Sequence, residues 1–250
     1  MKKKICVIAP GGAVGKVIIK ELQNYDDLIV SSGIVRDTSE MLGYDLGIIA
    51  GIGKELNIKA TSDLDTSIKE CDAIIDFSSI EFSMKVLEIA LKYSKPLACG
   101  VTGYNEDQKE QFNNASLSIP LMYSDNTSRL FNIMQEAVAY ITTKIDDDID
   151  IDIIEMHKNK KPDKPSGTSK DLTKIIQSNE TSKHKIETHS IRSGDIASTH
   201  EVFFGAYGER IEMIHRAYDN TTYAKGAIDA AIYLLKQKPG RYTAKEIFNL

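Results

Sequence analysis

The amino-acid sequence predicts an α/β protein in two parts: a parallel sheet wound with helices, then an α+β part with a mixed or antiparallel sheet. Three observations support this. Short apolar runs at 5–9, 28–35, 73–77, 96–101 and 119–124 alternate with helical patterns, and such runs suit strands buried on both faces. A glycine-rich turn, P-G-G-A-V-G-K, follows the first run directly. Beyond residue 145 the pattern becomes alternating strands at 148–157, 184–192, 199–205 and 208–216, interrupted by a helix from Lys170, as in an antiparallel or mixed sheet.

Taken in order, strand 5–9, the glycine turn and a helix on V-I-I-K-E-L give the context of a Rossmann-like dinucleotide-binding domain. Gly11, Gly12 and Gly15, with Ala13 and Val14 between them, let backbone N–H groups approach a pyrophosphate at a helix start, where the dipole favours negative charge. A turn needed only for packing is the alternative. Strand 28–35 ends at Val35-Arg36-Asp37. At this strand end an acid binds the ribose hydroxyls of NAD, whereas an arginine pairs with the 2′-phosphate of NADP. Arg36 therefore favours NADPH over NADH, with Asp37 held open as a substitute acid and a strand-end surface arginine as the plain reading. Residues 38–60 read as a loop with one short helix.

The segments D-F-S-S and G-V-T-G-Y end the strands at 73–77 and 96–101, on the side where open parallel sheets bind ligands. Core packing is an equal reading for Phe77. Helices at 81–93 and 106–115, strand 119–124 and the loop S-D-N-T-S continue the alternation, and a helix then runs to Lys144. The first domain boundary falls near residue 127.

The chemistry concentrates in Glu155–Ser169, E-M-H-K-N-K-K-P-D-K-P-S-G-T-S, between an alternating strand and a helical pattern. His157 is the side chain here whose ordinary pKa lies near neutrality, the natural proton donor or acceptor. On an extended strand Glu155 and His157 point to one side, so the carboxylate orients or charges the imidazole. Lys161 suits an anionic group. Pro165 fixes φ, Gly167 admits close approach, and Ser166 and Thr168 place hydroxyls beside the N–H groups of a helix start. A solvated basic loop ending in an ordinary helix cap is the plain alternative.

Composition narrows the classes. The 250 residues are 42% hydrophobic and 27% charged with a net charge of −5, ordinary for a globular protein and unlike a general nucleic-acid binder. The lysine cluster against that acidic background favours a small anionic ligand. Cys6, Cys71 and Cys99 lie in apolar runs without C-x-x-C spacing, so neither a disulfide framework nor a metal site is expected. The apolar run after M-K-K-K is too short for a signal peptide and no segment reaches membrane-span length, which predicts a cytoplasmic protein without a membrane partner.

The run E-x-H-x-x-x-K-x-D-x-P-S-G-T closely resembles the signature of the 4-hydroxy-tetrahydrodipicolinate reductase (dihydrodipicolinate reductase) family. The resemblance extends along the chain. Phe77, Gly100 and Thr102 resemble its nicotinamide-proximal segments, and N-T-S-R-L-F-N retains Asn126, Ser128 and Asn132. R-S-G-D-I-A-S-T-H resembles R-x-G-x-x-x-G-x-H through Arg192, Gly194 and His200, expected to shape the sheet and subunit contacts rather than do chemistry. The last block matches at His215, Ala217, Tyr223, Ala224, Gly226 and Ala227. What the resemblance implies is NADPH- or NADH-dependent reduction of a cyclic dicarboxylate, with His157 as acid, Lys161 as substrate partner, and Lys158, Ser166, Gly167 and Thr168 around the substrate. A final helix at about 221–236 is expected to return to the first domain, and the domains are placed at 1–127 and 128–227 with a return to the first at 228–250. The resemblance also implies a homotetramer built through the substrate-domain sheet.

Departures from the family pattern have consequences. Alanine replaces the first glycine of the loop at Ala9, and Ala13 stands where a basic residue is often found. The ribose-reading acid is Val35, the second glycine of the later motif is Ser198, and Lys158 stands where many relatives have a second histidine. A permanent cation at 158 predicts a stricter demand for a dianionic substrate and a changed pH profile. A reductase of another anionic carbonyl or imine, or a non-enzymatic nucleotide sensor, are the rival readings.

Overall fold

A computed structural model of the chain describes residues 1–179 and 184–250. The chain opens with β1 (Lys3–Ile8), α1 (Gly15–Leu22) and β2 (Leu28–Ile34). The one short helix expected within 38–60 is α2 (Leu46–Ala50), started by Asp45, whose carboxylate accepts from the N–H groups of Gly47 (2.7 Å), Leu56 (2.9 Å) and Ile58 (3.1 Å). Next come α3 (Leu64–Glu70), which the sequence reading did not assign, β3 (Ala73–Asp76), α4 (Ile80–Lys92), β4 (Leu97–Cys99), α5 (Glu106–Ser116) and β5 (Pro120–Tyr123).

The continuous apolar runs have their expected cause. In β1, Ile5 and Val7 pack into one core with Ile18, Ile19 and Leu22 of α1, while Cys6 and Ile8 pack into a second with Val86 of α4 and Phe112 of α5. Both faces of the strand are covered, so it needs no polar alternation. Each fully buried side chain of this size contributes roughly 1.5–3 kcal/mol.

After Thr127 comes the second unit, Ser128–Asp219. It holds α6 (Arg129–Thr142), β6 (Asp150–His157), α7 (Gly167–Asn179), β7 (Ile186–Arg192), β8 (Ser198–Ala206) and β9 (Glu209–Ala217). The strand order is β7-β6-β8-β9. β6 and β7 are parallel and the other pairs antiparallel, a mixed sheet. Ile151 and Ile153 of β6 and Val202 and Phe204 of β8 face Phe131 and Val138 of α6 and Leu172 and Ile176 of α7. That is the inner face, and Glu155 and His157 continue it by alternation along β6.

The chain rejoins the first unit at Asn220, earlier than the expected 228. The reason is that α8 (Thr221–Leu234) is one continuous helix whose Ala224, Ala227, Ile228, Ala231 and Leu234 belong to the first core. It is seated by close approach: a Cβ on Gly226 would lie 1.7 Å from the Thr127 carbonyl oxygen. The Thr127 hydroxyl also donates to the Tyr223 carbonyl (2.8 Å). A short β10 (Gly240–Arg241) then adds to β5, giving an all-parallel sheet ordered β10-β5-β4-β3-β1-β2, and α9 (Ala244–Phe248) follows. Among the described residues no helix is long and apolar enough to cross a membrane.

Candidate active site

In the first unit the glycine loop leaves β1 through Ala9, whose φ of 57° is left-handed. That conformation costs a non-glycine residue roughly 1–2 kcal/mol, which explains why glycine is common there. The turn keeps its course: the Gly12 N–H donates to the Ala9 carbonyl at 3.0 Å. A Cβ on Gly15 would lie 2.1 Å from that same oxygen, so Gly15 lets α1 pack onto the turn. Val14 is the residue before α1 and packs against the core, and the Ala13 carbonyl accepts from the Asn220 side chain (3.2 Å).

Gly11, Gly12, Arg36 and Phe77 line one cavity of about 350 Å³. Ser39, Met41, Ser78 and Ser79 line it too, and of these only the two serines of D-F-S-S carried a sequence signal. Gly100 and Thr102 line an adjoining cavity of about 500 Å³ that also includes Ser78 and Ser79. The Phe77 ring packs onto Gly100 at a distance that leaves no room for a side chain there, so core packing and cavity lining are both true of Phe77. Asn126 is in neither lining; its N–H donates to the Ser124 hydroxyl, which donates back to the Asn126 carbonyl. Asp37 is engaged by its own turn, accepting from the Thr38 N–H at 3.0 Å. A glycine turn at a helix start, an exposed arginine at the next strand end and a cavity between them fit a nicotinamide dinucleotide.

In the second unit the register assembles what sequence spacing does not reveal. Ser190, Glu155, His200 and His215 are successive cross-strand partners on β7, β6, β8 and β9. Glu155 is fully buried, and Arg192 grips it with two bonds, 2.8 Å to Oε2 and 2.7 Å to Oε1. Burial works against the Glu155 charge, but Arg192, then Ser190 and His157, hold its carboxyl below the usual range. His157 Nδ1 hydrogen-bonds Oε2 of the same carboxylate. Its Nε2 meets the Ser198 hydroxyl at 2.9 Å. Burial pushes His157 below its ordinary 6.5; Glu155 opposes this, while Lys161 and Arg192 add to it.

His200 lies edge-on to His157, ring centroids 5.2 Å apart, and its Nε2 meets the Ser166 hydroxyl at 3.2 Å. Burial, helped by His157, pushes it down to about 3. Phe131 packs between His200 and His215, and His215 reaches Ser128 at 3.3 Å.

The loop after β6 carries the cations. Lys161 pairs with Asp163 at 3.0 Å, and the Asp163 carbonyl accepts from Arg192. Lys158 is exposed. Ser166 is only 2% exposed, and its oxygen takes the Ser169 N–H at 3.2 Å as well as bonding His200. Gly167 and Thr168 form the first turn of α7, where N–H groups have no carbonyl within the helix to serve. Arg192 and His200, expected to shape the sheet, thus touch Glu155 and Ser166 directly, and Ser198, noted only as a replaced glycine, touches His157. The family motif had marked Arg192 and His200, but not what they touch.

A nucleotide cavity at the C-terminal ends of a parallel sheet, with an imidazole, a lysine and a helix start clustered on a second sheet, makes this a two-unit, dinucleotide-dependent oxidoreductase of an anionic substrate. Comparison with known proteins makes that specific. Residues 3–127 match the family model for the dihydrodipicolinate reductase N-terminus, and residues 131–248 that for its C-terminus. The chain is 31% identical to the 4-hydroxy-tetrahydrodipicolinate reductase of Hahella chejuensis, covering 99% of both chains. It is 32% identical to that of Syntrophus aciditrophicus, covering 98% of this chain and 97% of the other. The chain belongs to the dihydrodipicolinate reductase family. Its fold is similar to dipicolinate-bound dihydrodipicolinate reductase from Paenisporosarcina sp. TG-14, with a TM-score of 0.82 at 17% identity over 98% and 99% of the two chains.

Proposed function

We propose that this chain reduces 4-hydroxy-tetrahydrodipicolinate to tetrahydrodipicolinate on the route to diaminopimelate and lysine, in the cytoplasm. The family supplies the reaction. The observation that carries the site assignment is the setting of His157: Nδ1 on a buried, arginine-clamped carboxylate, Nε2 beside a hydroxyl, with Lys161 and the start of α7 on the adjacent loop.

When bound, the nicotinamide cofactor supplies the hydride. Gly11, Ala13, Val14 and Gly15 present backbone N–H groups and a helix dipole to its pyrophosphate, and Gly12, whose own N–H closes the turn onto Ala9, shapes the loop beside it. Arg36 takes the 2′-phosphate, and with Asp37 tied to its own turn this favours NADPH. Phe77, Gly100 and Thr102 shape the nicotinamide end.

Lys161 leaves Asp163 for a substrate carboxylate, Lys158 adds a second cation, and Gly167 and Thr168 bind the other carboxylate through N–H and hydroxyl groups. Ser166, whose hydroxyl is already engaged, acts by fixing that helix start. His157 donates the proton from Nε2. The negative charge of the arriving dicarboxylate favours the protonated ring and offsets the burial that pushes it down. The outer face of the second sheet, with Ile191 and Ile214 exposed at 42% and 43%, supports the expected homotetramer.

The test follows loss of reduced-cofactor absorbance, with substrate generated in place from pyruvate and aspartate semialdehyde by the preceding synthase. Oxidation faster with NADPH, and reduced by orders of magnitude in both His157→Gln and Lys161→Ala, is the expected result. NADPH binding without oxidation would point to another anionic substrate or to a sensor.

A further inference from the structure

We propose that Ser198 is a positioning residue for the reduction: its hydroxyl holds Nε2 of His157, so that the imidazole, whose Nδ1 is already held by Glu155, is fixed at both nitrogens. This rests on His157 being the acid. The antiparallel register that pairs Met156 with Thr199 brings Ser198 opposite His157 one step on, and the Oγ–Nε2 distance is 2.9 Å.

The Glu155 carboxylate is ionised and can only accept, so Nδ1 carries a hydrogen in every protonation state. In the neutral ring Nε2 is therefore the bare nitrogen, and the Ser198 O–H donates to it. In the charged ring Nε2–H donates and the same oxygen accepts. A hydroxyl serves both states by rotating; an alanine or glycine serves neither. In the proton step the Nε2–H bond breaks, its electron pair stays on nitrogen and the proton goes to substrate. The Ser198 O–H then turns to the vacated lone pair, until a proton from water restores the charged ring. Ser198 gains and loses nothing.

The groups facing His157 are Glu155 on its own strand, Arg192 on β7, Ser198 and His200 on β8, and Lys161 from the following loop, which pairs with Asp163. Of these Ser198 is the hydrogen-bonding partner of Nε2 among the described residues. Its bond to the charged ring is charge-assisted and stronger than its bond to the neutral one. Removing it therefore weakens proton retention.

Ser198→Ala and Ser198→Thr, with His157→Gln as reference, test this. For Ser198→Ala we expect kcat to fall about tenfold with KM changed less than about twofold. The alkaline fall of kcat should move to lower pH by about half a unit to one unit. Nitrogen-15 NMR of the unliganded protein should show the His157 ring still protonated at Nδ1 but losing its Nε2 proton at lower pH than in the parent. Ser198→Thr keeps the hydroxyl and should restore all three; Ser198→Gly repeats the test should alanine disturb the strand. An unmoved pH profile and an unmoved nitrogen-15 titration of His157 in Ser198→Ala would overturn the proposal. Full activity in His157→Gln would instead overturn the acid assignment on which it rests.

Discussion

His157 and His200 stand on adjacent strands of one sheet face, 5.2 Å apart, each with a serine hydroxyl on Nε2, yet they are built for opposite ends. His200 is 2% exposed, flanked by Phe131 and depressed to about 3, so it stays neutral at any working pH. His157 sits at the strand end beside the same Glu155 that faces His200 across the sheet, but bonds it directly. The shared carboxylate is not what separates them. A direct hydrogen bond and partial access to solvent keep one ring chargeable, while desolvation silences the other.

The largest expected effect separates the two by activity. His157→Gln should lower kcat by about a thousandfold, as for loss of a general acid, while His200→Asn costs less than about tenfold. Comparable losses in steady-state assays would mean that the two rings act as one unit.

Next, Glu155→Gln removes one half of a buried ion pair and leaves Arg192, 5% exposed, without its counter-charge. Unfolding in urea should show a loss of about 3 kcal/mol or more. A neutral change would mean that the pair is held for His157 alone.

Third, stability in acid should single out His200. Its folded value lies near 3, below the ordinary 6.5, so the unfolded chain takes up a proton that the folded chain refuses as pH falls from 6.5 towards 3. Stability present above 6.5 is lost through that window, by up to about 1.4 kcal/mol per pH unit for this one group. His200→Asn should flatten the slope of unfolding free energy against pH, measured by urea unfolding, by up to that amount; an unchanged slope would show that His200 charges in the fold.

Smallest of all, Lys158→His places a titrating group on an exposed position. The rate should change less than about tenfold, but the pH profile should gain a component near neutrality. A profile superimposable on the parent would count against Lys158 as a substrate contact.

The residues explain how far the sequence could be read. Strand alternation and the glycine turn are local properties, and so both sheets, the loop at 155–168 and the direction of Glu155 and His157 were legible. Arg192 and His200 were placed on the sheet but not on the chemistry, and Ser198 stood out only as a replaced glycine, because what these residues touch is set by pairing between strands some forty residues apart. Ser39 and Met41 lie in a stretch without periodicity, where nothing marks a side chain as facing a cavity. The returning helix was legible at about 221–236, whereas the boundary at 228 cuts through it, because the alanines of α8 have no amphipathic contrast to say which core its first turns enter.

The bond from Thr127 to the Tyr223 carbonyl, with Gly226 seated on Thr127, joins the two points where the first unit is interrupted. For that unit everything from Ser128 to Asp219 is an insertion between neighbours already tied together. Because the entropy of closing a loop grows only with the logarithm of its length, the insertion's size matters little to the scaffold that bears it. Such an arrangement is modular: one nucleotide-binding frame can exchange whole inserted sheets, and with them substrates, while its own strand order stays intact.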